Sequence, residues 1–171
     1  RKPVIVMTPK SLLRHKSCVS PISMFTGKET FHRVLYEDHT GLKPDSKIKQ
    51  VVICSGKVFY DLVDERDKRG IDDIHILRME QLYPWPLNSL KDQLGRFPNA
   101  QFVWCQEEPA NMGAWFFVDR RLEAVLETIE HKNTRVRYAG RAEAASPATG
   151  LLKRHNKEQA DLINEALTIQ K

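Results

Sequence analysis

Glu107 and Glu108 stand side by side where the apolar run Gln101-Phe-Val-Trp-Cys105 ends, and Asn111-Met-Gly113 then leads to Trp115. Paired carboxylates suggest general acid–base work. Neighbouring residues at a strand end point in different directions, however, so this pair suits a helix N-terminus or an interface better than a shared proton. Glu107, Glu108, Asn111 and Trp115 are therefore interface candidates. A second group is cationic. Lys10, Ser11, Arg14 and Lys16 place three positive charges and a hydroxyl within one short stretch, enough to clamp phosphates. Lys57, in the turn Ser55-Gly-Lys57 whose helix-opening amides suit an anion, and Arg78, a cation near the end of another apolar run, join them as effector or phosphate candidates. The plain reading of these groups is a solvated face and a tight turn.

Other chemistries lack their residues. No Gly-x-Gly-x-x-Gly and no Gly-x-x-x-x-Gly-Lys-Ser/Thr occurs, so nucleotide cradles of those designs are missing. There is no Cys-x-x-Cys and no His pair at helical zinc spacing, and no metal is assigned. Aromatics do not interleave with the basic residues, which argues against binding of single-stranded nucleic acid. Cys18, Cys54 and Cys105 are widely spaced, and the last two lie inside apolar runs where thiols act as small hydrophobes. A reducing compartment fits that usage.

These candidates need a scaffold, and the chain writes one as alternating strands and helices. Lys49-Gln-Val-Val-Ile-Cys54, Ile74-His-Ile-Leu-Arg-Met79 and Gln101 to Gln106 are continuous apolar runs of the kind found in parallel strands buried on both faces. A helix runs from Lys57 to about Arg69 and stops at Gly70. Pro86 opens another, with Leu87, Leu90 and Leu94 on one stripe. Trp115, Val118, Leu122, Val125 and Ile129 form the buried stripe of a third. Thr134 to Ala139 reads as a last strand, 140–150 as a small-residue loop and Leu151 to Leu167 as a closing helix. Nearer the start, Pro3 to Met7 reads as a short buried strand, Ser11 to Arg14 as a helical turn, 17–30 as a connecting loop and Phe31 to Tyr36 as an edge strand. The fold class is α/β with a mostly parallel sheet covered on both faces.

The 171 residues suit one domain, or one domain and a tail. Charge is unevenly placed: residues 1–57 hold eleven Lys/Arg against four Asp/Glu, and the remainder sixteen against eighteen. The basic excess therefore belongs to the first third, as a solvated linker or as a site for phosphates or an acidic partner. No apolar run reaches the ~20 residues of a membrane span, and no leader peptide is read. The first residue is Arg1 rather than Met, and the chain is expected to be a piece of something longer.

Five segments in order resemble one family: Val6-Met-Thr-Pro-Lys-Ser-Leu-Leu-Arg-His15, Cys54-Ser-Gly-Lys-Val-Phe-Tyr-Asp-Leu62, Arg78-Met-Glu-Gln-Leu-Tyr-Pro-Trp-Pro86, Trp104-Cys-Gln-Glu-Glu-Pro-Ala-Asn-Met-Gly-Ala-Trp115, and Tyr138-Ala-Gly-Arg141 with Ala148-Thr-Gly150. The family is the C-terminal domain of the thiamine-diphosphate-dependent first component of 2-oxoglutarate dehydrogenase, similar to that of transketolases. The resemblance implies a three-layer αβα sandwich with a five-stranded mostly parallel sheet and one antiparallel edge strand. It implies that residues 1–30 end a preceding pyrimidine-binding domain and its linker, and that 31–171 are the transketolase-type C-terminal domain. It further implies a full-length oxidoreductase of the tricarboxylic acid cycle, in bacterial cytoplasm or mitochondrial matrix. That enzyme works as a homodimer and passes succinyl to a lipoyl-bearing succinyltransferase core. Thiamine diphosphate and magnesium are held there by Gly-Asp-Gly…Asn-Asn. That motif does not occur here, so no catalytic, cofactor or metal residue is carried over, and the piece alone is expected to be inactive. Acetyl-coenzyme A or AMP is the expected kind of effector. The alternatives are a stand-alone α/β nucleotide-binding or interaction domain, and the same domain of a 2-oxoadipate-type paralogue or a transketolase.

Overall fold

The computed structural model describes residues 2–27, 30–37 and 39–170. The chain divides into two compact units, Arg1–Phe31 and His32–Lys171. The first, among its described residues, is extended chain with two 3-10 turns, Lys10–Arg14 and Ile22–Phe25. Pro3 to Met7 do not form the expected strand. Val4, Ile5, Val6 and Met7 are exposed. A strand exists by pairing its backbone groups, and no second strand is present among the described residues of this unit.

The second unit carries the sheet. Its elements in order are β1 (Val34–Tyr36), β2 (Gln50–Cys54), α1 (Val58–Lys68), β3 (Ile74–Met79), α2 (Leu87–Leu94), β4 (Gln101–Pro109), α3 (Trp115–Thr128), β5 (Val136–Arg141) and α4 (Leu152–Ala166). The spatial order is β1-β3-β2-β4-β5. β1 runs antiparallel to β3, and every other pairing is parallel. This is the expected mixed sheet with its antiparallel strand at the edge. β1 is three residues long, as befits an edge with one partner.

Period-two alternation divides the sheet residues between two cores. Val51, Ile53, Leu77, Phe102 and Trp104 face α2 and α3, whose Leu90, Leu94, Val118, Leu122 and Leu126 fill one layer. Val52, Cys54, Ile76, Val103 and Cys105 face α1 and α4 and meet Leu62, Leu162, Ile163 and Ala166. β2 and β3 are buried almost throughout, which is why their sequences are continuously apolar. α1 stops at Gly70, whose φ of +64° closes the helix while Ile71 N–H reaches back to the Arg66 carbonyl. No helix among the described residues is long and apolar enough to cross a membrane.

Two boundaries differ from the sequence reading. β4 runs on to Pro109 because β5 pairs Arg141 with Pro109 across an irregularity in register between Cys105 and Pro109. The last strand is Val136–Arg141 rather than Thr134 to Ala139, since its extent is set by the partner strand and not by its own composition.

Candidate functional site

β2 and β4 lie side by side, yet α1 follows β2 onto one face and α3 follows β4 onto the other. Chains that leave adjacent strand ends in opposite directions open a crevice between them, where doubly wound sheets hold ligands and partners. Here it has a volume of about 440 Å3, and Ser55, Gly56, Tyr83, Gln106, Glu108 and Phe117 are among its lining residues. The apolar-run-to-helix junction after Cys105 forms one wall.

Gln106 organises that wall. It is 3% exposed. Its Oε1 accepts the indole N–H of Trp104 at 2.9 Å and the backbone N–H of Trp115 at 3.0 Å. Its Nε2 donates to the carbonyls of Met112 at 2.7 Å, Pro109 at 3.1 Å and Glu108 at 3.2 Å. One amide thus caps the start of α3 and satisfies the carbonyls of the turn before it. Gly113 has φ +67°, and a Cβ there would meet Gln106 Nε2 at 3.0 Å. The turn and the amide are built around each other. Sequence reading offers the junction from Gln106 to Trp115 as an interface but does not single out Gln106 as a site residue. The signal for it was a lone amide closing an otherwise apolar run.

The predicted interface residues fall at this junction with different surroundings. Glu107 accepts from Lys57 Nζ at 2.5 Å, joining the ends of β4 and β2, and Asp61 lies 3.7 Å from the same ammonium. Glu108 is exposed. Asn111 bonds both the carbonyl and the N–H of Ala144, at 2.9 and 3.1 Å. Trp115 is buried within this chain and packs against Tyr138 with ring centroids 5.2 Å apart, so its shielding needs no second molecule. Burial pushes the Tyr138 hydroxyl up to about 12. It stays a donor, to the carbonyls of Arg141 and Glu108.

The effector candidates are divided between the units. Lys10, Ser11 and Arg14 lie on the first 3-10 turn and Lys16 just beyond it, all exposed. Lys57 and Arg78 stand at the ends of β2 and β3, where Cys54 is in register with Arg78. Both are already engaged. Arg78 pairs with Glu80 at 2.6 Å, bonds Tyr60 Oη at 3.0 Å and stacks on the rings of Phe59 and Tyr60.

The Lys57–Glu107 pair is mutually neutralised. Cys54 and Cys105 are fully buried, and loss of solvent raises both thiols well above their ordinary range, which keeps them protonated. Among the described residues no three His, Cys, Asp or Glu side chains gather as a metal site.

A family model described as 2-oxoglutarate dehydrogenase C-terminal matches residues 19–167. Over 174 aligned residues the chain is 56% identical to the 2-oxoglutarate dehydrogenase E1 component of Brucella anthropi. It is 55% identical to the proteins of the same name from Brucella ovis and Brucella canis. Each alignment covers 98% of this chain and 17% of the relative, so the chain spans about a sixth of the length of the curated proteins it matches.

Proposed function

The chain belongs to the 2-oxoglutarate dehydrogenase C-terminal family, and from that premise we propose that it is the assembly lobe of a full-length 2-oxoglutarate dehydrogenase first component. In that protein, upstream residues decarboxylate 2-oxoglutarate with thiamine diphosphate and magnesium and pass succinyl to the lipoyl groups of a succinyltransferase core. The observation that carries this reading is identity above one half along nearly the whole chain to relatives bearing that name.

The residues present do not fit the cofactor. Gly-Asp-Gly…Asn-Asn does not occur in the 171 residues. No step of the reaction is therefore assigned to a side chain of this chain. Its residues hold shape: Gln106, Lys57 and Glu107 brace the strand ends, while Tyr83, 81% exposed, and Phe116, 67% exposed, offer aromatic surface beside them. Aromatic side chains of this kind are the usual anchors of interfaces. We assign Glu107, Glu108, Asn111 and the crevice to packing against the preceding domains or the second protomer of a homodimer. Residues 1–30 are read as the end of the pyrimidine-binding domain with its linker. Lys10, Ser11, Arg14 and Lys16 are the proposed contacts for phosphates of acetyl-coenzyme A or AMP. The relatives are bacterial, which favours bacterial cytoplasm over mitochondrial matrix.

Release of labelled carbon dioxide from carboxyl-labelled 2-oxoglutarate tests the central reading. The full-length protein should release it only with thiamine diphosphate and magnesium, and this chain alone should not. Release by the 171 residues alone, or a full-length protein that turns over 2-oxoadipate faster, refutes it. Calorimetric titration with acetyl-coenzyme A and AMP tests the effector site; heat must appear in the full-length protein and vanish in its Lys10→Ala/Arg14→Ala double variant.

A further inference from the structure

The segments Tyr138-Ala-Gly-Arg141 and Ala148-Thr-Gly150 have no task in the function above, yet the fold closes them onto one cavity. It measures about 390 Å3, and Pro109, Arg141, Thr149, Gly150, Arg154 and Glu158 are among its lining residues. The wall is fixed. Asn111 grips both backbone groups of Ala144, Ala110 N–H donates to the Arg141 carbonyl at 3.0 Å, and Ser146 Oγ donates to the Ala148 carbonyl at 2.8 Å.

Two buried donors that line this cavity, on Arg141 and Thr149, have no hydrogen bond. The Arg141 side chain is 9% exposed. Its Nη1 donates to the Glu107 carbonyl at 2.8 Å, and its Nη2 reaches Gln159 Oε1 at 3.1 Å and His155 Nδ1 at 3.2 Å. Its Nε is sealed from solvent and makes no hydrogen bond, although Glu158 Oε2 lies 3.3 Å away. Thr149 Oγ1, on the opposite segment, is likewise sealed and unbonded. α4 starts at the same place without a side-chain cap, and no acceptor among the described residues takes the N–H groups of Leu152, Lys153 or Arg154. Buried polar groups are bonded in the great majority of native structures, so Arg141 Nε and Thr149 Oγ1, both sealed and unbonded, point to a missing acceptor beside the exposed amides that open α4. Arg141 and Arg154 are set against Glu143 and Glu158, and the uncapped positive end of a fifteen-residue helix makes that acceptor an anion.

We propose that the cavity binds the oxyanion group, phosphate or carboxylate, of a small molecule. Thr149 Oγ1, Arg141 Nε and the first amides of α4 donate to it. Glu158, which also holds Arg154 at 2.7 Å, is the internal competitor and turns away as the ligand enters. Glu143 on the rim opposes the anion and restricts the site to a small group. The site involves none of Lys10, Ser11, Arg14 or Lys16.

The test follows backbone amide resonances of this chain during separate titrations with inorganic phosphate and sodium acetate, at ionic strength held constant with chloride. Saturable shifts centred on Gly150 to Arg154 are expected with at least one anion. Saturation by phosphate alone assigns a phosphate ligand, and by acetate alone a carboxylate. Thr149→Val should weaken binding about tenfold, the usual effect of one hydrogen bond to a charged group. Glu158→Gln should strengthen it several-fold and keeps the proposal testable if the valine variant does not fold. Linear drift with both anions, shifts confined to Lys10–Lys16, or a Glu158→Gln variant that binds no tighter overturns the proposal.

Discussion

Gln106 Oε1 accepts the backbone N–H of Trp115 at 3.0 Å, so a strand residue caps the helix that begins nine positions later. The same oxygen takes the Trp104 indole N–H. Strand, turn and helix are thereby tied by one buried side chain, and the crevice between β2 and β4 takes its shape from that tie.

Removing the amide should be costly. Gln106→Leu keeps much of the volume but leaves the Trp104 indole, the Trp115 N–H and the Met112 carbonyl without it. The expected loss is roughly 2–4 kcal/mol, because each buried group left unpaired costs about 1–3 kcal/mol. Urea unfolding followed by tryptophan emission measures it, and a loss below about 1 kcal/mol contradicts the role given to Gln106.

Gly113 and Gly70 both hold positive φ, at +67° and +64°, but their surroundings differ. A Cβ on Gly70 meets nothing within 4 Å, whereas one on Gly113 meets Gln106 Nε2 and Glu108 Cβ at 3.0 Å. Gly70→Ala should cost about 1–2 kcal/mol for the left-handed backbone. Gly113→Ala should cost at least about 1 kcal/mol more, since backbone strain and displacement of the Gln106 amide act together. Equal losses in parallel unfolding curves contradict this.

Arg66 is fully buried and clasps the carboxylate of Glu37 with both terminal nitrogens, with Asp67 at 2.8 Å and the Ile74 carbonyl at 3.4 Å. The pair fastens α1 to the segment just after β1. Glu37→Gln should destabilise by about 1–2 kcal/mol, because it removes one of the two carboxylates that face the buried guanidinium and leaves Asp67 as the other. The double change Glu37→Met/Arg66→Met should recover most of that loss, since matched apolar groups need no partner. A double variant weaker than the single one refutes the argument.

His75 is 3% exposed and stacks on Phe97 at 4.8 Å. Burial, with a smaller contribution from Arg96, lowers its pKa to about 4. An unfolded His titrates near 6.5, so the unfolded chain binds this proton first as pH falls. Stability is therefore fully present above about pH 6.5 and declines towards pH 4, by about 3 kcal/mol from this group. His75→Gln should flatten that part of the curve. An unchanged acid limb between pH 6.5 and 4 in the variant sinks the assignment.

Cys18 is half-buried, whereas Cys54 and Cys105 are sealed between the sheet and helices α1 and α4. Native chain treated with an aromatic disulfide reagent should release about one thiol equivalent quickly, and all three after guanidinium. Fast reaction of two or more in the folded state contradicts the burial.

Local pattern carried most of the architecture. The apolar runs Lys49 to Cys54 and Ile74 to Met79 announce strands buried on both faces, and Trp115, Val118, Leu122 and Val125 announce the stripe of α3. These are properties of neighbours in sequence, unbroken apolar runs and a 3.6-residue spacing that residue order alone reveals. Pro3 to Met7 show where this stops. The same β-branched pattern makes no strand there, because pairing depends on a partner that local composition does not specify.

The candidate site was legible in part. Glu107, Glu108 and Asn111 stood out by type and spacing, and five ordered segments identified the family. Residue types and their periods were sufficient for the central strands, the helices, fold class and kinship, since each depends on short-range order along the chain. Tertiary structure decided that Gln106 rather than the carboxylates organises the junction, that Trp115 is covered by its own chain, and that Arg141 and Thr149 share a cavity. Those facts rest on contacts between residues far apart in sequence, and distance in space is set by the packing of the whole sheet and its helices, not by any segment read alone.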